Sequence, residues 1–254
     1  MTQSKELKDL LISLRLTEAA TELPSFLTKA ETNNMSYQSF LQEIMSFEQK
    51  RREEKLIERR MKWASFPFNK TLLDFNLKEQ PSLSKRQFNQ LTELNWIDQL
   101  FNLILLGPPG TGKTHLAVGL GIQAIFEGYK VMFISMGDLI HALKTEEITR
   151  KSQIRLKRLR ESNLVIIDDL MFMAMDQREA NLFFHLINDL YNSASIVLTS
   201  NKGPSDWGEL LGDPAITTAV LDRIVHRAEV VQLSGESYRM KTRESIFEEQ
   251  TVQN

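Results

Sequence analysis

The chain has no cysteine among its 254 residues, which excludes disulfides, thiolate nucleophiles and Cys-type zinc sites. It also lacks any run of about 18 uninterrupted apolar residues, so no membrane span is expected. The opening Met1-Thr2-Gln3-Ser4-Lys5-Glu6 brings an acid early and no apolar stretch behind it, unlike a secretory leader. A cytoplasmic protein is the expectation. An excess of either sign of charge is missing too: the net charge of −2 and pI near 6.2 give no global nucleic-acid signature, so any basic surface is local. His115, His141, His185 and His226 are scattered with no i,i+4 pair for zinc, and no Gly-x-Ser-x-Gly elbow presents a serine nucleophile. No internal repeat or low-complexity tract is visible.

The chain is organised around residues 101–115, where the apolar run Phe101-Asn-Leu-Ile-Leu-Leu106 breaks into Gly107-Pro108-Pro109-Gly110-Thr111-Gly112-Lys113-Thr114-His115 and resumes as a helical pattern. Gly107 and Gly112 bracket four residues and Lys113-Thr114 follow at once, the spacing of a phosphate-binding P-loop between strand and helix. A polyphosphate wrapped by backbone N–H groups needs glycines for φ > 0 and close approach. The helix opening at Lys113 aims its unpaired N–H groups at the same phosphates. Lys113 adds a full charge for the β- and γ-phosphates, and the Thr114 hydroxyl has the length to sit on a bridging Mg²⁺. A nucleotide with Mg²⁺ is therefore the expected ligand.

Four apolar residues, Leu164-Val-Ile-Ile167, end in Asp168-Asp169, so two acids emerge at the carboxyl end of a buried strand, where ligands sit in open α/β sheets. Asp168 takes the Walker-B position, holding Mg²⁺ directly or through water, and Asp169 is placed to orient or deprotonate the attacking water. Ile196-Val-Leu-Thr-Ser200 ends another strand, and Asn201 after it offers an amide for the water or the γ-phosphate. Arg223, in Leu221-Asp-Arg-Ile-Val-His-Arg227, reads either as an ordinary surface arginine of a helix or as one that reaches the γ-phosphate of a neighbouring copy. Met171, Met173 and Met175 around Phe172 read as core packing.

Residues 1–65 read as a helical N-terminal domain, with Leu7, Leu10, Leu11, Leu14 and Leu16 forming an apolar stripe. Pro24 and Thr32-Asn33-Asn34 are expected breakers, and Ser36 is the expected N-cap of a second amphipathic helix carrying Phe40, Leu41, Ile44 and Phe47. That helix runs into residues 48–62, where seven bases outnumber four acids. Residues 66–100 read as an extended, proline-broken linker and a leading helix over 85–94. Residues 101–243 form the core and 244–254 a tail. Short strands at 130–135, 164–168, 196–200 and 228–233 alternating with helices, one of them over 214–227, predict a parallel sheet covered on both faces.

With Gly107 to Ala117, Ile166-Ile-Asp-Asp169, Leu198-Thr-Ser-Asn201, Trp207-Gly-Glu209, Gly212-Asp-Pro214, Leu221-Asp-Arg-Ile224 and Gly235-Glu-Ser-Tyr-Arg239 in that order, the chain resembles the IstB family. These are AAA+ ATPases encoded beside the transposase of certain bacterial insertion sequences, related to the helicase loader DnaC and the initiator DnaA. The likeness runs from about Thr71 to Arg243. It implies an AAA+ P-loop core with a five-stranded parallel sheet and an ATP-dependent protein that self-assembles with ATP at subunit interfaces, engages double-stranded DNA and stimulates a cognate transposase. Asn201 becomes sensor 1, Arg223 the arginine finger, and Arg239 a further nucleotide contact. Many relatives have Asp-Glu at the Walker-B end, and the shorter Asp169 here implies slow turnover stimulated by DNA or a partner. Only 15 residues follow Arg239, too few for a helical lid, so a neighbouring copy is expected to cover the cleft.

Residues 150–160, Arg-Lys-Ser-Gln-Ile-Arg-Leu-Lys-Arg-Leu-Arg, hold six bases and no acid. On a helix Lys151, Arg155 and Arg158 share one face and Leu156 and Leu159 another. With Lys157 and Arg160 they form a phosphate-neutralising stripe, as in initiator-type AAA+ proteins, whose DNA-touching insertion occupies this interval. Arg51, Arg52, Lys55 and Arg59 offer a second basic surface, equally readable as a solvated helix laced with i,i+4 pairs. The rival readings are a DnaC-like replicative helicase loader, a DNA filament protein in which ATP is only a clamp, and, more distantly, a small-molecule kinase.

Overall fold

The computed structural model describes residues 2–170, 175–208 and 214–238. Glu209, Met171, Phe172, Met173, Gly212, Asp213 and Arg239, singled out above, lie outside them. The chain divides into two compact units at Arg59/Arg60.

The first unit contains α1 (Thr2–Ser13), α2 (Thr17–Thr32) and most of α3 (Tyr37–Ala64). Pro24 lies inside α2, contrary to its expected role as a breaker. A proline there costs about 3 kcal/mol of helix propensity, and α2 offsets it by burying Ala19, Ala20 and Leu23 and setting Phe26 edge-on to Phe47 at 5.2 Å. Ser36 caps α3 as expected, accepting from Ser39 N–H. Glu48 is 2% exposed because its carboxylate accepts from Ala19 N–H in the first turn of α2, at 2.8 Å, and from Arg52 Nε, at 2.8 Å. An acid at a helix N-terminus also gains from the dipole. Of the leucine stripe, Leu11 and Leu16 are half-buried and Leu7, Leu10 and Leu14 exposed.

The second unit is a five-stranded sheet of β1 (Asn102–Leu106), β2 (Val131–Ser135), β3 (Leu164–Asp168), β4 (Ser195–Ser200) and β5 (Ala228–Gln232), in the order β2-β3-β4-β1-β5, every pair parallel. Helices α4 (Lys85–Thr92), α5 (Asn95–Asp98), α6 (Lys113–Phe126), α7 (Met136–Lys144), α8 (Arg150–Arg160), α9 (Gln177–Leu190) and α10 (Pro214–Val225) precede or connect them. The first four strands are buried almost throughout, as their unbroken apolar runs require. β5 is an edge strand and mostly exposed, so the expected two-sided cover stops short of it. The insertion of β4 between β1 and β3 aligns Leu105 with Thr199 and Ile167 with Leu198. Thr199 and Asp168 thereby meet at the carboxyl edge.

The expected extended linker is instead a packed part of this unit. Residues 72–74 and 77–79 make single 3₁₀ turns, and Phe66 lies edge-on to Phe133 at 6.4 Å. The reason is α6, whose Leu116 to Ile122 are all buried: a helix apolar all round must be covered on its outer side as well. Two glycines allow the cover to come close. A Cβ on Gly119 would lie 2.7 Å from Leu72 Cδ2, and one on Gly121 2.8 Å from Ile166 Cδ1 and 2.9 Å from the Phe66 ring.

Gly→Ala inside a helix ordinarily gains about 1 kcal/mol. At Gly119 the sign should reverse, with Gly119→Ala losing about 1–3 kcal/mol in urea unfolding. Combination with Leu72→Ala should cost less than the two changes summed, and strict additivity would show that Leu72 does not press on α6.

Candidate nucleotide site

The apolar β1 delivers the chain to Gly107 at the carboxyl edge, and the loop closes under α6. Gly112 is left-handed, φ +87°, and begins the helix. Gly107, φ +148°, passes so close to the chain after β5 that a Cβ would lie 2.1 Å from the Leu233 carbonyl oxygen. Lys113 Nζ folds back over the loop, donating to the carbonyls of Gly107 at 2.7 Å and Pro108 at 2.9 Å. The Thr111 hydroxyl donates to the Pro108 carbonyl at 2.9 Å, and Tyr238 N–H donates to the Gly110 carbonyl at 3.0 Å.

Asp168 ends β3 facing this loop. Its Oδ1 accepts from the Thr114 hydroxyl at 2.9 Å and from the Thr199 hydroxyl at 2.6 Å. Thr199 in turn accepts from Asp169 N–H at 2.8 Å. The P-loop helix, β3 and β4 are thus tied through one carboxylate oxygen. Burial pushes Asp168 above the ordinary carboxylate range, against the opposing pull of the Thr199 and Thr114 hydroxyls. Asp169 is exposed, at φ +60°. These residues line a cleft of about 800 Å³ with Pro109, Gly110, Thr111, Gly112 and His115.

The expected residues are not all equivalent. Asn201 lines the cleft but is exposed, while the contact with Asp168 comes from Thr199, two residues earlier. The signal for Thr199 was its register opposite Asp168, which depends on which strand lies between β1 and β3. His115 Nε2 lies 3.0 Å from the Thr71 carbonyl, with its ring edge-on to Phe75 and Phe68, so it anchors the segment before β1. That segment supplies residues the motifs did not reveal: Phe68, Phe75 and Gln80 line the cleft, and Gln80 Nε2 donates to the Thr111 carbonyl at 2.8 Å. Arg223 is absent from the lining. On α10 it donates to Asn188 Oδ1 and the Ala219 carbonyl and lies over the Phe184 ring at 4.8 Å.

The acid-free run 150–160 has acid partners in space. Leu156 and Leu159 of α8 are buried as expected. Acids remote in sequence nevertheless reach the helix: Arg155 pairs with Asp138 at 2.9 Å, and Arg160 with Glu146 at 2.6 Å and Asp189 at 3.3 Å, while Lys157 lies 3.8 Å from its local i,i+4 neighbour Glu161. Lys151, Lys157 and Arg158 remain exposed. In α3, Arg52 makes an i,i+4 pair with Glu48, Arg51 an i,i+3 pair with Glu54, and Lys55 pairs with Glu18 of α2, while Arg59 is exposed.

The family model for IstB-like ATP-binding proteins matches residues 9–246. The chain belongs to this family. The ATP-binding protein named for insertion sequence IS21 of Pseudomonas aeruginosa is 38% identical over 236 residues, covering 93% of this chain and 89% of that one. The one named for IS5376 of Geobacillus stearothermophilus is 37% identical over 224 residues, with 88% and 89% covered. Among solved structures, AMPPCP-bound DnaA from Aquifex aeolicus matches with a TM-score of 0.54 at 23% identity, over 67% of this chain and 51% of DnaA. DnaI matches with a TM-score of 0.55 at 16% identity, over 66% of this chain and 90% of DnaI. The IstB-like chain accordingly shares the AAA+ fold of DnaA and DnaI. Among its described residues no helix is long and apolar enough to cross a membrane.

The raised Asp168 favours the folded state while protonated. That contribution is present below the usual carboxylate range and is lost as pH rises through the raised pKa. In buffer without nucleotide or magnesium at pH 7.5, Asp168→Asn should therefore melt about 2–4 °C above wild type, the equivalent of ~1 kcal/mol in a chain of this size. The gap should close as pH falls toward about 4, and a lower melting temperature at pH 7.5 would refute the burial penalty.

Proposed function

We propose that this protein is an ATP-dependent DNA-binding switch that assists a transposase. The observation that carries the reading is the link from Thr114 and Thr199 to Asp168 beneath a glycine-rich loop and its lysine. In this reading the loop N–H groups and the N-terminus of α6 hold the phosphates, and Lys113 exchanges loop carbonyls for phosphate oxygens. The Thr114 hydroxyl and Asp168 carboxylate form an all-oxygen set that suits Mg²⁺, whose other ligands are phosphates and water. A half-buried carboxylate also calls for a compensating cation. Mg²⁺ held there by Thr114 and Asp168 would supply positive charge against that developing on the phosphates. Thr199 keeps Asp168 in place and fixes the backbone of Asp169, which orients or deprotonates the attacking water.

Arg223 lies outside its own cleft, and a neighbouring copy is the site it is proposed to serve. Assembly and hydrolysis are then coupled. The family's place in insertion sequences supports a transposase partner, and the exposed bases of α8 support contact with duplex DNA through phosphates. With Arg155 and Arg160 paired to acids, that contact rests mainly on Lys151, Lys157 and Arg158.

Lys113→Ala should abolish ATP binding or turnover, measured by titration and by phosphate release with and without duplex DNA. Release absent from wild type under both conditions would leave ATP as a clamp only. Joint Lys151→Ala and Arg158→Ala should weaken binding to every DNA sequence and reduce the slope of log K against log salt by about 2. An unchanged slope would remove α8 from the DNA interface.

A further inference from the structure

The cleft has a mixed lining: Lys113, Thr114 and Asp168 are joined by Phe68, Phe75 and Gln80 from the segment before β1. Phe75 stacks on Phe88 with ring centroids 5.8 Å apart and reaches over Gly112, its Cε2 3.2 Å from where a Cβ would stand. Behind it Gln80 is only 8% exposed. Its Nε2 donates to the Thr111 carbonyl, an acceptor that fixes which way the amide points, since the oxygen could not occupy that position. Gln80 Oε1 is then the one buried side-chain polar atom among the described residues with no hydrogen-bond partner. A buried acceptor left without a donor is costly and calls for an explanation.

Resting on the reading of this cleft as a nucleotide site, we infer that Gln80 Oε1 receives the exocyclic 6-amino group of adenine and so selects ATP against 6-oxopurine nucleotides. The aromatic wall of Phe75 suits the flat face of a base, and the amide oxygen offers the acceptor that the amino edge requires. Oε1 is out of reach of bulk water, so a base that meets it must part the side chains over it. At position 6, inosine and guanine present an oxygen, which would set acceptor against acceptor. Purine riboside triphosphate presents only a hydrogen and leaves Oε1 unpaired. A site built to hydrogen-bond a substrate group rejects analogues lacking it, because its own polar atom stays unsatisfied.

The test is titration of the full chain with ATP, inosine triphosphate, purine riboside triphosphate and 2′-deoxy-ATP, in wild type and in Gln80→Met. Wild type should prefer ATP over purine riboside triphosphate by about three- to tenfold, the range of one neutral hydrogen bond, and over inosine triphosphate by more. In Gln80→Met both ratios should fall to within about twofold, since the thioether is a poor acceptor. Loosening of the P-loop through the lost Thr111 contact would weaken all four nucleotides alike and leave the ratios unchanged, so ratios that survive in Gln80→Met overturn the assignment. Equal affinities in wild type overturn it as well. If the variant alters only the ATP to 2′-deoxy-ATP ratio, Oε1 meets the ribose and the base assignment falls. Failure of every triphosphate to bind wild type sinks the assignment together with the nucleotide reading, whereas binding without base preference sinks the assignment alone.

Discussion

A carboxylate held partly out of water at the edge of a parallel sheet is the constraint on which this site depends. Asp168 is costly to bury while ionised, and the two threonine hydroxyls that share its Oδ1 only partly offset that cost. They also join three elements distant in the chain: Thr114 begins the helix after the P-loop, Asp168 ends β3 and Thr199 lies near the end of β4. A displacement of any one strand would leave the acid buried without its donors. The sheet order, with β4 between β1 and β3, is what lets both hydroxyls reach the same oxygen.

The P-loop helix carries the second constraint. Because α6 is buried on all sides, the polypeptide before β1 cannot hang free as a tether. Phe66 and Leu72 are drawn onto α6 where Gly119 and Gly121 leave room, and the same segment then brings Phe75 and Gln80 to the mouth of the phosphate loop. His115 secures it through the Thr71 carbonyl. One consequence of an apolar helix is thus a second wall for the nucleotide cleft, opposite in character to the charged floor.

Charge patterning along the chain proved a poorer guide than hydrophobic patterning. The stretch 150–160 contains no acid, yet Asp138, Glu146 and Asp189 converge on it in space. Long-chain bases reach partners across several ångströms of surface, and nothing in the local spacing announces them. Leu156 and Leu159, whose burial follows from helical period alone, lie where expected. Pro24 is the reverse case: a local rule for helix breaking was overruled by the packing of Ala19, Ala20 and Leu23.

What the amino-acid order determined was whatever rests on neighbours in the chain: unbroken apolar strands, helical stripes, the Gly107 to Thr114 loop and the acids after Ile167. Their physical causes act within a few residues, so they are legible without coordinates. Only the tertiary structure decided that Thr199 touches Asp168, that the residues before β1 line the cleft, and that Arg155 and Arg160 are paired. Each of these depends on strand order or on side chains meeting across 14 to 31 positions, distances over which the fold, and not the local pattern, chooses the partner.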